Sequence, residues 1–98
     1  MTVSDLARNW LLGVVRGFVR DPSDVDVLVA ERNGIIELTI VAPPSARGRI
    51  IGRNGATISH IRSLLFVFTQ THHLQKLLVI VDQTERNISN EQQQAVAR

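Results

Sequence analysis

The stretch GRIIGRNGATISHIR, Gly48–Arg62, holds the strongest structural signal in this chain of 98 residues. A short apolar segment leads into the tetrad Gly52-Arg53-Asn54-Gly55, and Ile58 and Ile61 then recur at the spacing of one helical face. Glycine tolerates positive φ and lets a ligand approach the backbone. A helix start presents N–H groups and a positive dipole to an anion. We therefore expect a helix–loop–helix unit in which phosphate groups contact Gly52, Arg53, Asn54 and Gly55, with Arg47 and Arg49 close by.

Two better known phosphate-binding loops do not fit this stretch. A nucleotide P-loop requires a glycine, four further residues and then Gly-Lys-Ser/Thr, but the fifth position after Gly48 is Arg53. A dinucleotide-binding turn requires Gly-x-Gly-x-x-Gly, whereas the glycines here are residues 48, 52 and 55. The sequence therefore argues against a nucleotide-binding enzyme, and no cofactor is expected.

Charge is unevenly distributed along the chain, although its formal sum is only +2. From Leu38 to Val81 there is no acidic residue, whereas five residues are basic: Arg47, Arg49, Arg53, Arg62 and Lys76. A surface without negative charge suits a polyanionic partner. Half of a small protein can also lack acids without any functional reason, so this pattern supports the loop hypothesis without establishing it.

The N-terminal residues predict an amphipathic helix. Apolar side chains recur at three- and four-residue intervals over residues 3–19, with Thr2 or Ser4 as the N-cap and Asp21-Pro22 as the end. A helix of this kind with arginines on its polar side can also lie on a membrane surface. Asp5 and the aromatic Trp10 favour a helix packed on the protein core instead.

The rest of the chain predicts a hairpin, two helices and a last strand. Asn33-Gly34, between two alternating runs, is the strongest short-range signal for a hairpin turn. The expected elements after the first helix are strands Val25–Ala30 and Ile35–Ala42, a short helix through Ile51 opened by Pro43-Pro44, a helix over Ala56–Thr69, and a strand over Lys76–Val81. The order α-β-β-α-α-β predicts an α+β domain with three antiparallel strands and helices packed on one face.

Composition places the chain among globular proteins, with 44% hydrophobic and 20% charged residues. We expect one domain over residues 1–82 and a polar, flexible tail over residues 83–98. No cysteine is present, so disulfides and thiolate metal sites are excluded. The apolar runs are too short to span a bilayer, and the N-terminus lacks the pattern of a signal peptide. A cytoplasmic protein without membrane contact is the resulting expectation.

Taken together, the strand, the short helix, the loop Gly52-Arg53-Asn54-Gly55 and the helix that follows resemble a KH domain, whose G-x-x-G loop clamps a nucleic-acid backbone. A helix and hairpin placed before the core strand resemble the bacterial, type II order of KH domains. A short chain with one such domain is similar to the KhpA family of small bacterial RNA-binding proteins. The resemblance covers residues 6–82.

The resemblance implies a site for single-stranded RNA with low sequence selectivity. The loop residues would hold the sugar-phosphate backbone, and the bases would lie in an apolar groove beside the loop, for which Ile50, Ile51 and Ile58 are the candidates. Arg62, farther along the same helix, is a further candidate contact, although a surface arginine often serves only solubility. The family resemblance also implies a role as an RNA chaperone or adaptor.

A second surface is expected on the helix after the loop. With 100° per residue, Ile58, Ile61, Leu65 and Phe68 share one side, and the residues Ser59, Ser63, Phe66 and Val67 fall elsewhere. Two large apolar residues outside the buried stripe indicate either burial by the C-terminal segment or a contact surface. KhpA-like proteins pair with themselves or with a second KH-containing protein, which makes these four residues a candidate dimer interface.

The sequence offers no convincing catalytic or metal site, so we expect neither enzymatic activity nor a small-molecule substrate. His72 and His73 are adjacent rather than spaced for one metal ion, and Asp24 and Asp26 fit the polar face of the hairpin. No nucleophile motif is present around Ser59. An alternative to RNA binding stays open, namely a docking module whose KH scaffold recruits a larger RNA-binding partner.

Overall fold

The computed structural model describes residues 1–82, and their helices and strands follow the predicted order. The elements are α1 (Val3–Arg16), β1 (Asp26–Arg32), β2 (Ile35–Val41), α2 (Pro44–Ile51), α3 (Ala56–Thr71) and β3 (Lys76–Val81). Short 3₁₀ turns occupy Pro22–Asp24 and Arg53–Gly55. The predicted α+β class is confirmed, whereas the predicted tail after Asp82 lies outside the described residues.

Helix α1 begins at a reciprocal cap. The Thr2 hydroxyl accepts a hydrogen bond from the Asp5 amide at 3.1 Å, and the Asp5 carboxylate accepts one from the Thr2 amide at 3.2 Å. The helix ends one turn earlier than expected, at Arg16, because the amides of Gly17 and Phe18 bond three residues back and tighten the last turn.

The two-residue turn between β1 and β2 confirms the hairpin prediction. Asn33 and Gly34 both have positive φ, 52° and 80°, as the favoured hairpin turn requires. The strands pair antiparallel from Asp26↔Val41 to Arg32↔Ile35. Because side chains alternate along a strand, this register directs Val27, Ile36, Leu38 and Ile40 towards the helices.

Strand β3 runs parallel to β2, so the expectation of three antiparallel strands is wrong. The pairs extend from Ile35↔Lys76 to Ile40↔Val81, and the sheet order is β1-β2-β3. Helices α2 and α3 carry the chain back to the end of the sheet where β2 started, which is the crossover that a parallel neighbour needs. The resulting sheet is mixed.

The hydrophobic core lies between one face of the sheet and the three helices, as predicted. Its fully buried side chains come from every layer and include Leu11 and Val15 of α1, Leu38 and Ile40 of β2, and Ile50 of α2. Trp10, expected to pack in this core, is 38% exposed instead. No helix within residues 1–82 is long and apolar enough to cross a membrane.

Candidate nucleic-acid interface

The loop between α2 and α3 has a backbone that its glycines make possible. Gly52 has φ 81° and ψ 169°, and Asn54 and Gly55 follow in the left-handed region with φ 55° and 74°. A Cβ on Gly52 would overlap the Thr57 hydroxyl and lie 2.7 Å from the Thr57 backbone nitrogen, whereas a Cβ on Gly55 would meet open space. Gly52 is therefore required by packing within the protein, and Gly55 presents bare backbone to the solvent.

The glycine amides themselves are not free, which corrects the sequence-based expectation. The N–H of Gly52 donates to the Gly48 carbonyl at 2.9 Å, and that of Gly55 donates to the Gly52 carbonyl at 3.1 Å. The Ala56 amide donates to the carbonyl of Arg53. These bonds hold the loop in shape, so a phosphate at this loop would be met by the α3 dipole and by exposed side chains rather than by the glycine N–H groups.

Among the basic candidates, two are exposed and one is held by the fold. Arg53 projects from the loop tip beside Asn54, and Arg49 is exposed on the last turn of α2. Arg47 is half-buried, and its Nε donates to the Ala42 carbonyl at 3.1 Å. Arg47 therefore helps to secure the start of α2, while Arg49 and Arg53 are accessible to a ligand.

The isoleucines predicted to contact bases do not share one surface. Ile50 is 0% exposed and Ile58 is 6% exposed, so both side chains belong to the hydrophobic core. Ile51 alone is half-buried at the surface. The prediction that Ile50 and Ile58 line a base-binding groove is wrong for this structure, because α2 and α3 use these two residues to pack on the sheet.

A groove of about 600 Å³ runs instead between α3 and the edge strand β3. Arg62 lies in it, and its Nε and Nη2 both donate to the Val79 carbonyl, at 3.3 and 2.8 Å. The groove is lined from α3 by Arg62, Leu65, Phe66 and Thr69, and from the β3 side by residues 75–80. Sequence reasoning missed the β3 lining, because the residues of this strand do not indicate that it lies at the edge of the sheet.

The groove begins at Arg62, about two helical turns after the glycine loop, and ends at the turn before β3. Helix α3 starts directly after Gly55, ends at Thr71, and is joined by a short turn to β3, so the two elements run in opposite directions. Arg62 opposite Val79 lies towards the loop, and Thr69 with Gln75 lies at the other end. The groove therefore runs along α3 in the direction that leads away from the glycine loop.

The solvent-facing side of α3 carries large apolar residues. Phe66 is 62% exposed and Val67 is 56% exposed. Ser59 and Ser63, the other two residues of the predicted dimer interface, are also exposed. Leu64, which the sequence analysis did not include, is 57% exposed on the flank of this surface. Phe66 also lines the groove, so this ring is accessible from both surfaces.

The remaining candidates have structural partners. Asp26 accepts hydrogen bonds from Arg8 and from the Val27 amide, each at 2.8 Å, on the edge strand β1. The His72 ring lies 4.4 Å, centroid to centroid, from Phe68 at the end of α3. Within the described part of the chain, no group of three potential metal ligands occurs.

Comparison with known proteins agrees with this geometry. The family model for the KH domain matches residues 37–64, which include most of β2, all of α2, the glycine loop and the first half of α3. RNA-binding protein KhpA of Streptococcus pneumoniae, from the TIGR4 and D39 strains, is 25% identical over 79 residues. The alignment covers 81% of this chain and 98% of each relative. No solved structure matches the chain.

The family model falls on the segment that contains the loop, and the α-β-β-α-α-β order surrounds it with the helix and hairpin of a type II KH domain. The KhpA relatives match over nearly their whole length. These findings show that residues 37–64 match the KH domain and that most of the chain is similar to the KhpA proteins.

Proposed function

We propose that this protein binds single-stranded RNA without catalysis, with the Gly52–Gly55 loop holding the sugar-phosphate backbone. The observation that carries the proposal is the loop itself: Arg53 and Asn54 are exposed beside the bare backbone of Gly55 at the start of α3, within the segment that matches the KH family. The name of the KhpA relatives supports RNA as the ligand.

The phosphate contact rests on charge and close approach. Arg53 supplies a cation, and the positive end of the α3 dipole adds to its field. Because a Cβ on Gly55 would point into open space, this position leaves room for a phosphate against the backbone. Arg49 is exposed one turn upstream and lines a depression that also contains Asp21 and Asp24, so Arg53 is the main cation of the proposed contact.

The bases would lie in the groove between α3 and β3. Phe66 offers an exposed ring on which a base can stack, an interaction that every base can make. Few side chains of the groove carry hydrogen-bonding groups, and two donors of Arg62 are already bonded to Val79. We therefore expect low sequence selectivity and an affinity dominated by phosphate contacts, as suits an RNA chaperone or adaptor.

The decisive experiment is titration of a labelled RNA of about twelve nucleotides, long enough for the four-nucleotide KH clamp. We compare wild type with Arg53→Asp/Asn54→Asp at low and moderate salt. The matched control is Asn9→Asp/Arg16→Asp, which makes the same change of formal charge on the exposed side of α1. Binding that is lost in the loop variant and kept in the control supports the proposal.

Two results would contradict the proposed RNA site at the glycine loop. Equal loss in both variants would mean that only net charge matters, and unchanged binding in the loop variant would remove the loop from the site. Thermal unfolding of each variant shows that the comparison is made between folded proteins. Both substituted loop residues are exposed, so the fold is expected to survive.

A second candidate function rests on the exposed apolar side of α3. Leu64, Phe66 and Val67 form an exposed apolar surface, and Arg62, whose guanidinium bonds to Val79 on the groove side, is the one lysine, arginine, aspartate or glutamate of α3. Two copies of such a face can meet about a two-fold axis without like-charge repulsion. We propose self-association through Ser59, Ser63, Phe66 and Val67, which allows the protein to act as a dimer. Docking to a second KH-containing protein is the alternative occupant of the same face.

A further inference from the structure

We infer that the β1–β2 turn, Arg32-Asn33-Gly34, is a second phosphate contact at the far end of the groove between α3 and β3. This inference rests on the proposed function, because it extends the path of the RNA strand beyond the glycine loop. The turn would contact backbone that has already passed Phe66, and it would lengthen the footprint of the protein on RNA.

The turn repeats the chemistry and the backbone of the loop. Arg-Asn-Gly occurs at residues 32–34 and again at residues 53–55. Asn33 and Gly34 have φ of 52° and 80°, and Asn54 and Gly55 have φ of 55° and 74°. At both positions the arginine and asparagine side chains are exposed. The tight hairpin accounts for Asn33-Gly34, but not for a cation directly before it.

The position of the turn links it to the groove. A Cβ placed on Gly34 would lie 3.1 Å from the Gln75 side-chain oxygen, and Gln75 lines the end of the groove remote from the glycine loop. A depression of about 260 Å³ at the turn, on the helix-free face of the sheet, is lined by Arg32, Asn33 and Glu37 and shares Leu78 with the groove. A strand that leaves the groove across β3 at Leu78 would therefore reach this turn.

Charge at this end of the sheet favours a phosphate. Arg32 pairs with Ile35, and Ile35 pairs with Lys76, so the two cations occupy one row on the helix-free face. Both are exposed, and neither has an ion pair within residues 1–82. Glu37 lies on the same face one row inward, and Glu31 points to the opposite face of β1. The cations therefore project at the end of the sheet, outside the acidic neighbours.

The separation of the two turns sets the RNA length that the inference requires. The glycine loop lies at the start of α3 and the hairpin turn lies beside the segment that follows its end, so this 16-residue helix, about 24 Å long, separates them. The clamp of a KH domain holds about four nucleotides. A tetranucleotide would occupy the loop and the part of the groove nearer to it, whereas a decanucleotide would also reach Lys76 at the far end of the groove and Arg32 at the turn.

The experiment measures the affinity of a tetranucleotide and a decanucleotide of the same repeated base over a range of salt. The variants are Arg32→Gln and Lys76→Gln, with Arg16→Gln as the control. Arg16 is exposed near β1, at the opposite edge of the sheet, and its substitution removes one positive charge as well. Asn33 and Gly34 are left unchanged, so that the hairpin keeps its turn.

We expect Arg32→Gln to weaken binding of the decanucleotide about 3- to 10-fold. The slope of log K against log salt concentration should also become smaller in magnitude by about 0.7, the value of one phosphate contact on a single strand. The tetranucleotide should bind Arg32→Gln and wild type alike. An equal effect on both lengths, an equal effect of Arg16→Gln, or no effect of Arg32→Gln would overturn the inference. If wild type binds neither RNA, both the proposed function and this inference are rejected. If binding depends on Arg53 but not on Arg32, only the second contact is rejected.

Discussion

The three glycines around the loop have different environments, although the sequence presents them as equivalent. Gly48 is exposed within α2, and a Cβ there would have no neighbour within 4 Å. Gly55 adopts φ 74° but faces open space, and Gly52 combines φ 81° with close contact to Thr57. A loss of stability on substitution should therefore increase from Gly48 through Gly55 to Gly52.

We predict the effects of the three alanine variants accordingly. Gly48→Ala should stabilise the protein by up to about 1 kcal/mol, because alanine favours the helix. Gly55→Ala should cost about 1–2 kcal/mol for its left-handed backbone. Gly52→Ala should cost about 2–4 kcal/mol, since overlap with Thr57 adds to the same strain. Urea denaturation measures all three, and a Gly52 variant as stable as wild type would show that the loop can relax.

Arg62 links helix α3 to strand β3. Its guanidinium donates twice to the Val79 carbonyl, which the sheet leaves unpaired because β3 is an edge strand. On the other edge, Arg8 and Arg16 of α1 donate to the carbonyls of Val27 and Val25. Arginines from helices thus cover carbonyl groups on both edges of the sheet, where exposed backbone would otherwise invite pairing with another chain.

Substitution of Arg62 should therefore change the stability of the protein and not only its RNA binding. Arg62→Met keeps the aliphatic stem but removes both hydrogen bonds, and we predict a loss of about 1–2 kcal/mol in the free energy of unfolding. Arg53→Met, at the exposed loop tip, should change stability by less than about 0.5 kcal/mol. Urea denaturation of both variants tests this. If Arg62→Met weakens RNA binding but leaves the unfolding curve unchanged, Arg62 is a ligand contact and not a structural link.

Helix α1 is sensitive to pH through its N-terminal cap. The hydrogen bond from the Thr2 amide, followed by that from the Thr2 hydroxyl, holds the pKa of Asp5 below its ordinary value. A lowered pKa in the folded state means that the charged carboxylate stabilises the fold above the ordinary pKa of an aspartate. That stabilisation is lost as the pH falls through the folded value.

Asp5→Asn should therefore be less stable than wild type at neutral pH, and the difference should shrink as the pH falls below the ordinary pKa of an aspartate and through the lowered pKa of Asp5. Urea unfolding of both proteins at several pH values gives this difference directly. A gap that stays constant from neutral to acidic pH would show that the carboxylate charge contributes nothing to the cap.

At the scale of the whole molecule, the proposed self-association would set the number of glycine loops that can bind one RNA. The glycine loop and the exposed side of α3 are adjacent in the chain, so a dimer through α3 would bring two loops into one assembly. Two linked sites raise apparent affinity for an RNA that spans both. Phe66 lines the groove as well as this side of α3, whereas Val67 does not line the groove. A substitution of Val67 therefore tests self-association without changing the lining of the groove.

We predict that Val67→Glu yields a monomer in sedimentation experiments and keeps its affinity for a tetranucleotide. Phe66→Glu should yield a monomer and also weaken RNA binding, since the base loses its stacking partner. A control variant on α1, Asn9→Glu, should leave the mass unchanged. A wild-type protein that is monomeric alone but forms a complex with a second KH-containing protein would assign the same face to that partner.

Local sequence determined the order of elements, the hairpin turn and the loop. Each depends on neighbours in the chain: Asn33-Gly34 suits one turn type, Pro44 suits a first helical turn, and Gly52 and Gly55 supply positive φ. For the same reason, the exposed positions of Arg53 and Asn54 followed from their place at the tip of a short loop. These features do not need distant contacts.

Tertiary structure alone decided the features that depend on how those elements pack. The direction of β3 depends on the path of α2 and α3, not on its own residues. Ile50 and Ile51 are adjacent and chemically identical, and only packing on the sheet turns Ile50 into the core. The groove between α3 and β3, with Arg62 bonded to Val79, exists because the crossover leaves β3 at the edge. A sequence pattern records which residues are apolar, whereas the shape of a groove arises only when the elements meet.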